Sequence, residues 1–233
     1  MKIKLLTLGV LLAVSSTVSA QYYDPINWKT TVYELDGSWS TVWAEFNPSN
    51  LVYDISGADD QSVTGVSLGY SQAFNVIPNT GLFLEAGLGM QYTFYNEDES
   101  VTYEGYKGKM EEKFSMWSAK IPVNFMYKFA IGNSGFSLSP YAGLTLRYNF
   151  SAKIKEEVTI DGESESETID LFKKSDMGGS DYTWKHFQLG WQVGLKAIIG
   201  NTVMIGASYG YDFNEIAKKT KLQTTSISLG VVF

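Results

Sequence analysis

The chain has 233 residues with 18 Lys and Arg against 25 Asp and Glu, a net charge of −7, one His and no Cys. The acidic balance argues against nucleic acid as a partner. The near absence of His and Cys leaves few ligands for zinc or copper, and disulfides are ruled out.

The first element is MKIKLLTLGVLLAVSSTVSA, with Lys2 and Lys4, an apolar run from Leu5 to Val14, and the small residues Val18-Ser19-Ala20. This is the layout of a secretory signal peptide, and the apolar run is too short for a spanning helix, which needs about 20 residues. Residues 1–20 are therefore predicted to be cleaved, leaving 21–233 as one exported domain. Removal of two lysines takes the charge to −9. Beyond residue 20 no stretch is long and apolar enough for a membrane helix, so a membrane location requires a closed barrel of strands.

Eight segments alternate with period two, the signature of strands with unlike faces. The first sets Tyr33, Leu35, Trp39 and Trp43 against Glu34, Asp36, Ser38 and Ser40. The second sets Val66, Leu68, Tyr70 and Phe74 against Gly65, Ser67, Gly69 and Ser71. The third runs from Leu82 to Phe94, with Glu85, Gly87, Gly89 and Gln91 on its polar side. In the fourth, Ile121, Val123, Phe125, Tyr127 and Phe129 oppose Lys120, Asn124 and Lys128. The fifth runs from Phe136 to Phe150 with Arg147 and Asn149 on the polar side. The sixth sets Phe187, Leu189, Trp191, Val193 and Leu195 against Gln188, Gln192 and Lys196. The seventh runs from Val203 to Phe213 with Asp212 on the polar side. The eighth is SISLGVVF, alternating to Phe233.

Connections alternate in length. NVIPNTG, GNSG and GN are short and uncharged, whereas the intervening loops are longer and charged, the largest being 151–183 with nine acids and four bases. One rim of short periplasmic turns and one of long extracellular loops is the pattern of a transmembrane barrel. Asp161-Gly162 is a two-residue hairpin signal, so the fifth and sixth strands are expected to continue beyond the membrane. The acid run of that loop reads as a solvated surface in preference to a calcium site, because the EF-hand spacing is absent.

The same alternation would suit a soluble barrel with an apolar interior. Three features favour lipid outside. The polar face is rich in Gly and Ser, which suit the crowded interior of an eight-stranded barrel. Aromatics gather at the segment ends: Trp43, Tyr92, Phe94, Trp117, Tyr148, Phe150, Trp184, Phe187, Tyr211 and Phe213 toward the long loops, and Tyr33, Phe74, Phe129, Phe136 and Phe233 toward the short turns. Finally, the polar-face charges balance. Glu34, Asp36, Glu85 and Asp212 are expected to pair across the lumen with Lys120, Lys128, Arg147 and Lys196, a network that holds the barrel and is not a site.

The pieces GYSQAF, LFLEAGLGMQY, IPVNFMYKF, SPYAGLTLRYNF, FQLGWQVGLKAIIG, VMIGASYGYDF and SISLGVVF resemble the PorT/OmpA-like eight-stranded outer-membrane β-barrel proteins of Gram-negative bacteria. The resemblance implies an all-β, eight-stranded antiparallel up-and-down transmembrane β-barrel in the cell outer membrane. It also implies recognition of Phe233 by the outer-membrane barrel assembly machinery, and contact with outer-membrane lipid and lipopolysaccharide. The periplasmic peptidoglycan-binding domain that many relatives carry is not expected here, since the barrel pattern runs to Phe233.

A lumen filled by side chains should not conduct solutes, so the leading expectation is a non-enzymatic barrel with a structural or surface-interaction role and an extracellular or envelope protein partner. One alternative is an accessory factor in secretion or assembly. Another is an enzyme acting on lipid A or phospholipid through His186, whose parity points inward and near which Asp181 lies in sequence. No catalytic, cofactor-binding or metal residue is assigned.

Overall fold

A computed structural model describes residues 37–55, 57, 59–78, 80–103, 106–131, 135–160, 163–176 and 183–233. The signal peptide, Tyr33, Glu34, Leu35, Asp36, Asp161, Gly162 and Asp181 lie outside the described residues.

Ten strands form one sheet: β1 (Trp39–Tyr53), β2 (Gln61–Asn75), β3 (Leu82–Tyr103), β4 (Tyr106–Tyr127), β5 (Phe129–Ile131), β6 (Phe136–Ile160), β7 (Glu163–Asp170), β8 (Phe187–Ile199), β9 (Val203–Asp212) and β10 (Thr220–Val232). Eight of them close a ring, with β1 pairing β10 from Thr41↔Val232 to Tyr53↔Thr220 and β4 pairing β6 at the opposite side. Neighbours are antiparallel throughout. Closure satisfies the backbone of every ring strand, the one condition under which strands cross lipid. The remaining two strands are accessory: β5 adds three residues beside β6, and β7 pairs only the outer part of β6.

The alternation in the sequence becomes an inside and an outside. Val66, Leu68, Leu88, Phe125, Leu144, Val193, Leu195, Ile205, Ile227 and Leu229 are exposed on the outer wall. Their sequence neighbours Ser67, Asn124, Thr145, Gln192 and Ser228, and Gln91 further along β3, are buried in the lumen. Phe94, Trp117, Tyr148, Phe150, Phe187 and Phe213 ring the long-loop end of that wall, and Phe74, Tyr127, Phe129 and Phe233 the short-turn end.

The first segment departs from expectation. Its strand is Trp39–Tyr53, and Trp43, expected on the lipid side, is 4% exposed inside the lumen. The cause is local space. Trp43 lies opposite Gly69 on β2, and the indole rests over Gly69 and its β3 neighbour Gly89, so it has room inside that it would lack beside larger residues. The outward set Val42, Ala44, Phe46 and Pro48 is itself apolar and satisfies lipid without the tryptophan. Trp184 is likewise not in the outer girdle, since it packs on the ring of Phe114 at 5.3 Å.

A second departure lies in β6. Trp117 pairs Ser151 while Ser118 pairs Asn149, leaving Phe150 as an extra residue. Such a bulge shifts the phase of the strand. Odd residues up to Asn149 face the lumen, and from Ala152 onward even residues do. Beyond the bulge the strand continues to Ile160 and folds back through β7, as the hairpin signal implied. The returning arm does not run on into the next barrel strand, however. Leu171, Phe172 and Trp184, which lie between β7 and β8, turn in over the mouth of the barrel.

Candidate functional site

The lumen is filled in three layers. At the short-turn end Phe83, Ala73 and Met126 pack with Trp39 and Tyr141, next to Trp43, Ile198, Met204 and Val232. The middle layer is polar. Lys120 Nζ lies 2.6 Å from Glu45 Oε2, Lys196 Nζ lies 2.6 and 2.5 Å from the two oxygens of Glu85, and Arg147 pairs with Asp212. Glu85 also accepts from Ser71 Oγ and Asn124 Nδ2, each at 2.9 Å, and Asn124 Oδ1 accepts from Gln192 at 2.6 Å. Burying charge is tolerable only with pairing of this kind.

The expected network is thus present for Lys120, Arg147, Lys196, Glu85 and Asp212. Glu34 and Asp36 lie outside the described residues. Glu45, which supplies an acid in the network, is missed by sequence reading because the first segment is read out of phase. Lys128 sits at the short-turn rim with its ammonium 5.0 Å from the ring of Trp39, not within the ion-pair layer. Among the described residues the polar layer holds a cavity of about 30 Å³ beside Arg147, Thr145 and Asp212 and one of about 20 Å³ beside Glu45, Glu85 and Lys196. They suit single waters and no solute.

The third layer seals the long-loop end. Leu171, from the segment after β7, and Ile216, from the β9–β10 loop, are 2% and 1% exposed. They pack with Leu51, Val63, Phe114, Met116 and Leu222. Backbone hydrogen bonds hold them there: Leu171 N–H to Ala152 O at 3.0 Å, Trp184 N–H to Leu171 O at 2.8 Å, and Lys185 N–H to Ile216 O at 2.7 Å.

His186 does not point inward. It is exposed just before β8, its Nδ1 lies 2.7 Å from the carbonyl oxygen of Asn149, and its ring stacks on Phe172 at 4.0 Å and Tyr148 at 5.6 Å. Sequence parity fails here because the residue precedes the strand whose phase was extended to it. The imidazole sits as a spacer between an outer-wall aromatic and the capping segment. Among the described residues no group of three or more His, Cys, Asp or Glu is arranged to hold a metal ion.

Above the rim, β3, β4, β6 and β7 continue as a four-stranded sheet that projects from the barrel. Its two faces differ in charge. One continues the outer wall and carries Asp98, Glu111, Glu157 and Asp170 among Lys109, Lys113, Lys153 and Lys155. Lys109 Nζ lies 3.0 Å from Asp98 and 2.6 Å from Glu111, Lys113 Nζ 2.5 Å from Glu111, and Lys155 Nζ 2.8 Å from Glu157. The hydrogen bonds from Lys109 and Lys113 hold the Glu111 carboxyl at about 2.

The other face continues the lumen wall and looks over the mouth. Across it Glu97 stands opposite Glu112, Glu112 opposite Glu156, and Glu156 opposite Glu167, one carboxylate on each strand in a single row. Glu99, Glu163 and Glu165 lie on the same face with the half-buried Met110, Val158 and Ile160, and no Lys or Arg is found on it among the described residues. At its base the Tyr95 hydroxyl donates to Glu112, and burial together with that carboxylate pushes the phenol well above its ordinary range. Sequence reading finds the acid content of this region but not its segregation, which depends on the Phe150 bulge setting the phase of β6.

A family model described as outer membrane protein beta-barrel domain matches residues 8–233. Among solved structures, the chain is similar to Ail, the attachment invasion locus protein of Yersinia pestis, in its complex with the heparin analogue sucrose octasulfate. The identity is 19%, over 84% of this chain and 99% of that one, with a TM-score of 0.44. It is similar to Neisserial surface protein A at 16% identity, over 84% and 97% of the two chains, TM-score 0.34. It is also similar to the outer membrane enzyme PagL at 13% identity, over 80% and 98%, TM-score 0.43. No curated protein matches the chain.

Proposed function

The chain belongs to the outer membrane protein beta-barrel domain family, and from that premise we propose a non-enzymatic barrel that works through its extracellular surface, not through its lumen. The observation that carries the reading is the filling of the lumen at both ends and in the middle. The apolar cap at Leu171 and Ile216, the three ion pairs, and the aromatic layer at Trp39, Trp43 and Phe83 leave cavities of about 30 and 20 Å³. A permeation path needs far more continuous space.

What remains for function is outside. The apolar wall is matched to the acyl chains of phospholipid and lipopolysaccharide, whereas the projecting sheet carries charge on both faces and suits water. His186 supports a structural role because its imidazole is engaged by a backbone carbonyl and two rings.

Purified protein in planar bilayers is expected to give no steady channels. Steady conductance on the order of hundreds of picosiemens would overturn the reading, because a side-chain-filled eight-stranded lumen cannot carry it.

A further inference from the structure

We infer that the mouth-facing side of the projecting sheet is a docking surface for a cationic, extended polypeptide segment with apolar side chains among its basic ones. This deepens the surface-contact reading and rests on it. Like charges directly opposite each other across strands destabilise a sheet. Here the row Glu97–Glu112–Glu156–Glu167 places four of them side by side through three consecutive strand pairs. The sheet has lysines to neutralise them, yet the four identified lie on the other face, where Lys109, Lys113 and Lys155 are engaged with acids of that face. The charge is thus sorted between the two faces, and one is left strongly negative: Glu97 accepts from Gln61 Nε2 at 2.7 Å and Glu112 from the Tyr95 hydroxyl, both neutral donors, and no Lys or Arg stands on that face among the described residues.

The chemistry of the face selects its occupant. Anionic headgroups and nucleic acid are repelled by it. A bare divalent cation would use the carboxylates but not the half-buried Met110, Val158 and Ile160 between them. An open hollow of about 560 Å³ at the β7 edge, lined by Glu156, Val158, Glu165, Glu167 and, from the other face of β7, Ser166, has the mixed lining that a basic side chain with an apolar neighbour would fill. Charge complementarity then gives fast, salt-dependent encounter, and the aliphatic residues give contact area.

The test uses the full chain in detergent micelles at low ionic strength. The probe is a synthetic peptide of repeating Lys-Ser-Val-Ser, which puts Lys and Val on one face of a strand, with a Glu-Ser-Val-Ser peptide as control. The lysine peptide is expected to bind and the glutamate peptide not to. Glu97→Gln, Glu156→Gln, Glu165→Gln and Glu167→Gln together should weaken binding by about tenfold or more, as removal of several partly exposed charge contacts does. Asp98→Asn, Glu111→Gln and Glu157→Gln together, on the opposite face, should change it less than about twofold. The same shift in gel mobility on boiling as the unaltered protein shows that each variant still folds. Three results overturn the inference: no binding of the lysine peptide to the unaltered protein, equal loss in both variants, or calcium alone displacing the peptide at micromolar concentration. None of these touches the sealed-lumen reading, which fails only on conductance.

Discussion

Arg147→Met is expected to destabilise the folded barrel by about 3–5 kcal/mol, the cost of leaving a buried charge without its partner. Arg147 and Asp212 have side chains 7% and 3% exposed, the most enclosed of the lumen ion pairs. Among the described residues the second carboxylate oxygen of Asp212 has no hydrogen-bond partner, and beside the Leu222 backbone the guanidinium is the carboxylate's main compensation. Glu85 differs, since Ser71 and Asn124 still donate to it if Lys196 is lost. Glu45 differs again, being 16% exposed beside Lys120. Lys196→Met and Lys120→Met should therefore cost less than Arg147→Met. Adding Asp212→Leu to Arg147→Met removes the stranded charge and should recover most of the loss. Denaturant titration of the three single variants and the double variant in micelles, followed by tryptophan fluorescence, gives the order. Equal losses, or no recovery in the double variant, would contradict the pairing.

The second large effect concerns Trp43. A Cβ on Gly69 would lie 2.3 Å from Cζ2 of this indole and 2.7 Å from the carbonyl oxygen of Leu88, and one on Gly89 would lie 2.5 Å from Cη2 of Trp43. Gly69 and Gly89 stand opposite each other on β2 and β3, so together they form the floor on which the ring rests. Gly69→Val is expected to cost about 3 kcal/mol or more, at the upper end for overpacking, because the tryptophan cannot leave a closed lumen. Trp43→Ala should cost about 3–5 kcal/mol through the cavity it opens. The double variant should cost clearly less than the two together, since the valine fills part of the space the indole leaves. Recovery is partial because the clash with Leu88 O persists. Strict additivity in denaturant titrations would mean that Trp43 does not lie over Gly69.

These two sites mark what sequence periodicity reads well and where it stops. Arg147, Asp212, Glu85, Lys120 and Lys196 are legible as lumen residues because each lies in a long segment of strict alternation, and the lipid wall follows from the same pattern. The first strand is not legible, because its outward residues include Ala44 and Pro48 and its inward ones include two tryptophans. Hydrophobicity alone then assigns the tryptophans to lipid. What decides otherwise is the pair Gly69 and Gly89 beneath the ring of Trp43, a cross-strand fact that needs the register. His186 fails for a related reason, since parity carries no meaning beyond the end of a strand.

The projecting sheet is half legible. Asp161-Gly162 and the alternating acids announce a hairpin, and the structure has its two arms as β6 and β7. The charge sorting is invisible without the single extra residue at Phe150, because counting by twos through the bulge puts every later side chain of β6 on the wrong face. The apolar cap is invisible too. Leu171 and Ile216 sit in charged loops, and nothing in their neighbours' spacing says that they fold inward.

The central claim, that the apolar sides of the ring strands meet lipid and the polar sides meet each other, is tested most directly by spin labels on single introduced cysteines. The chain has no cysteine of its own, so each label is unique. Labels at Val66, Leu68 and Tyr70 on β2, and at Ile227 and Leu229 on β10, should be open to oxygen dissolved in the bilayer. Labels at Ser67, Ser71, Ser226 and Ser228 should be shielded from it. Reversal of that alternation in liposomes, or free access of a water-soluble relaxation agent to both sets, would contradict it.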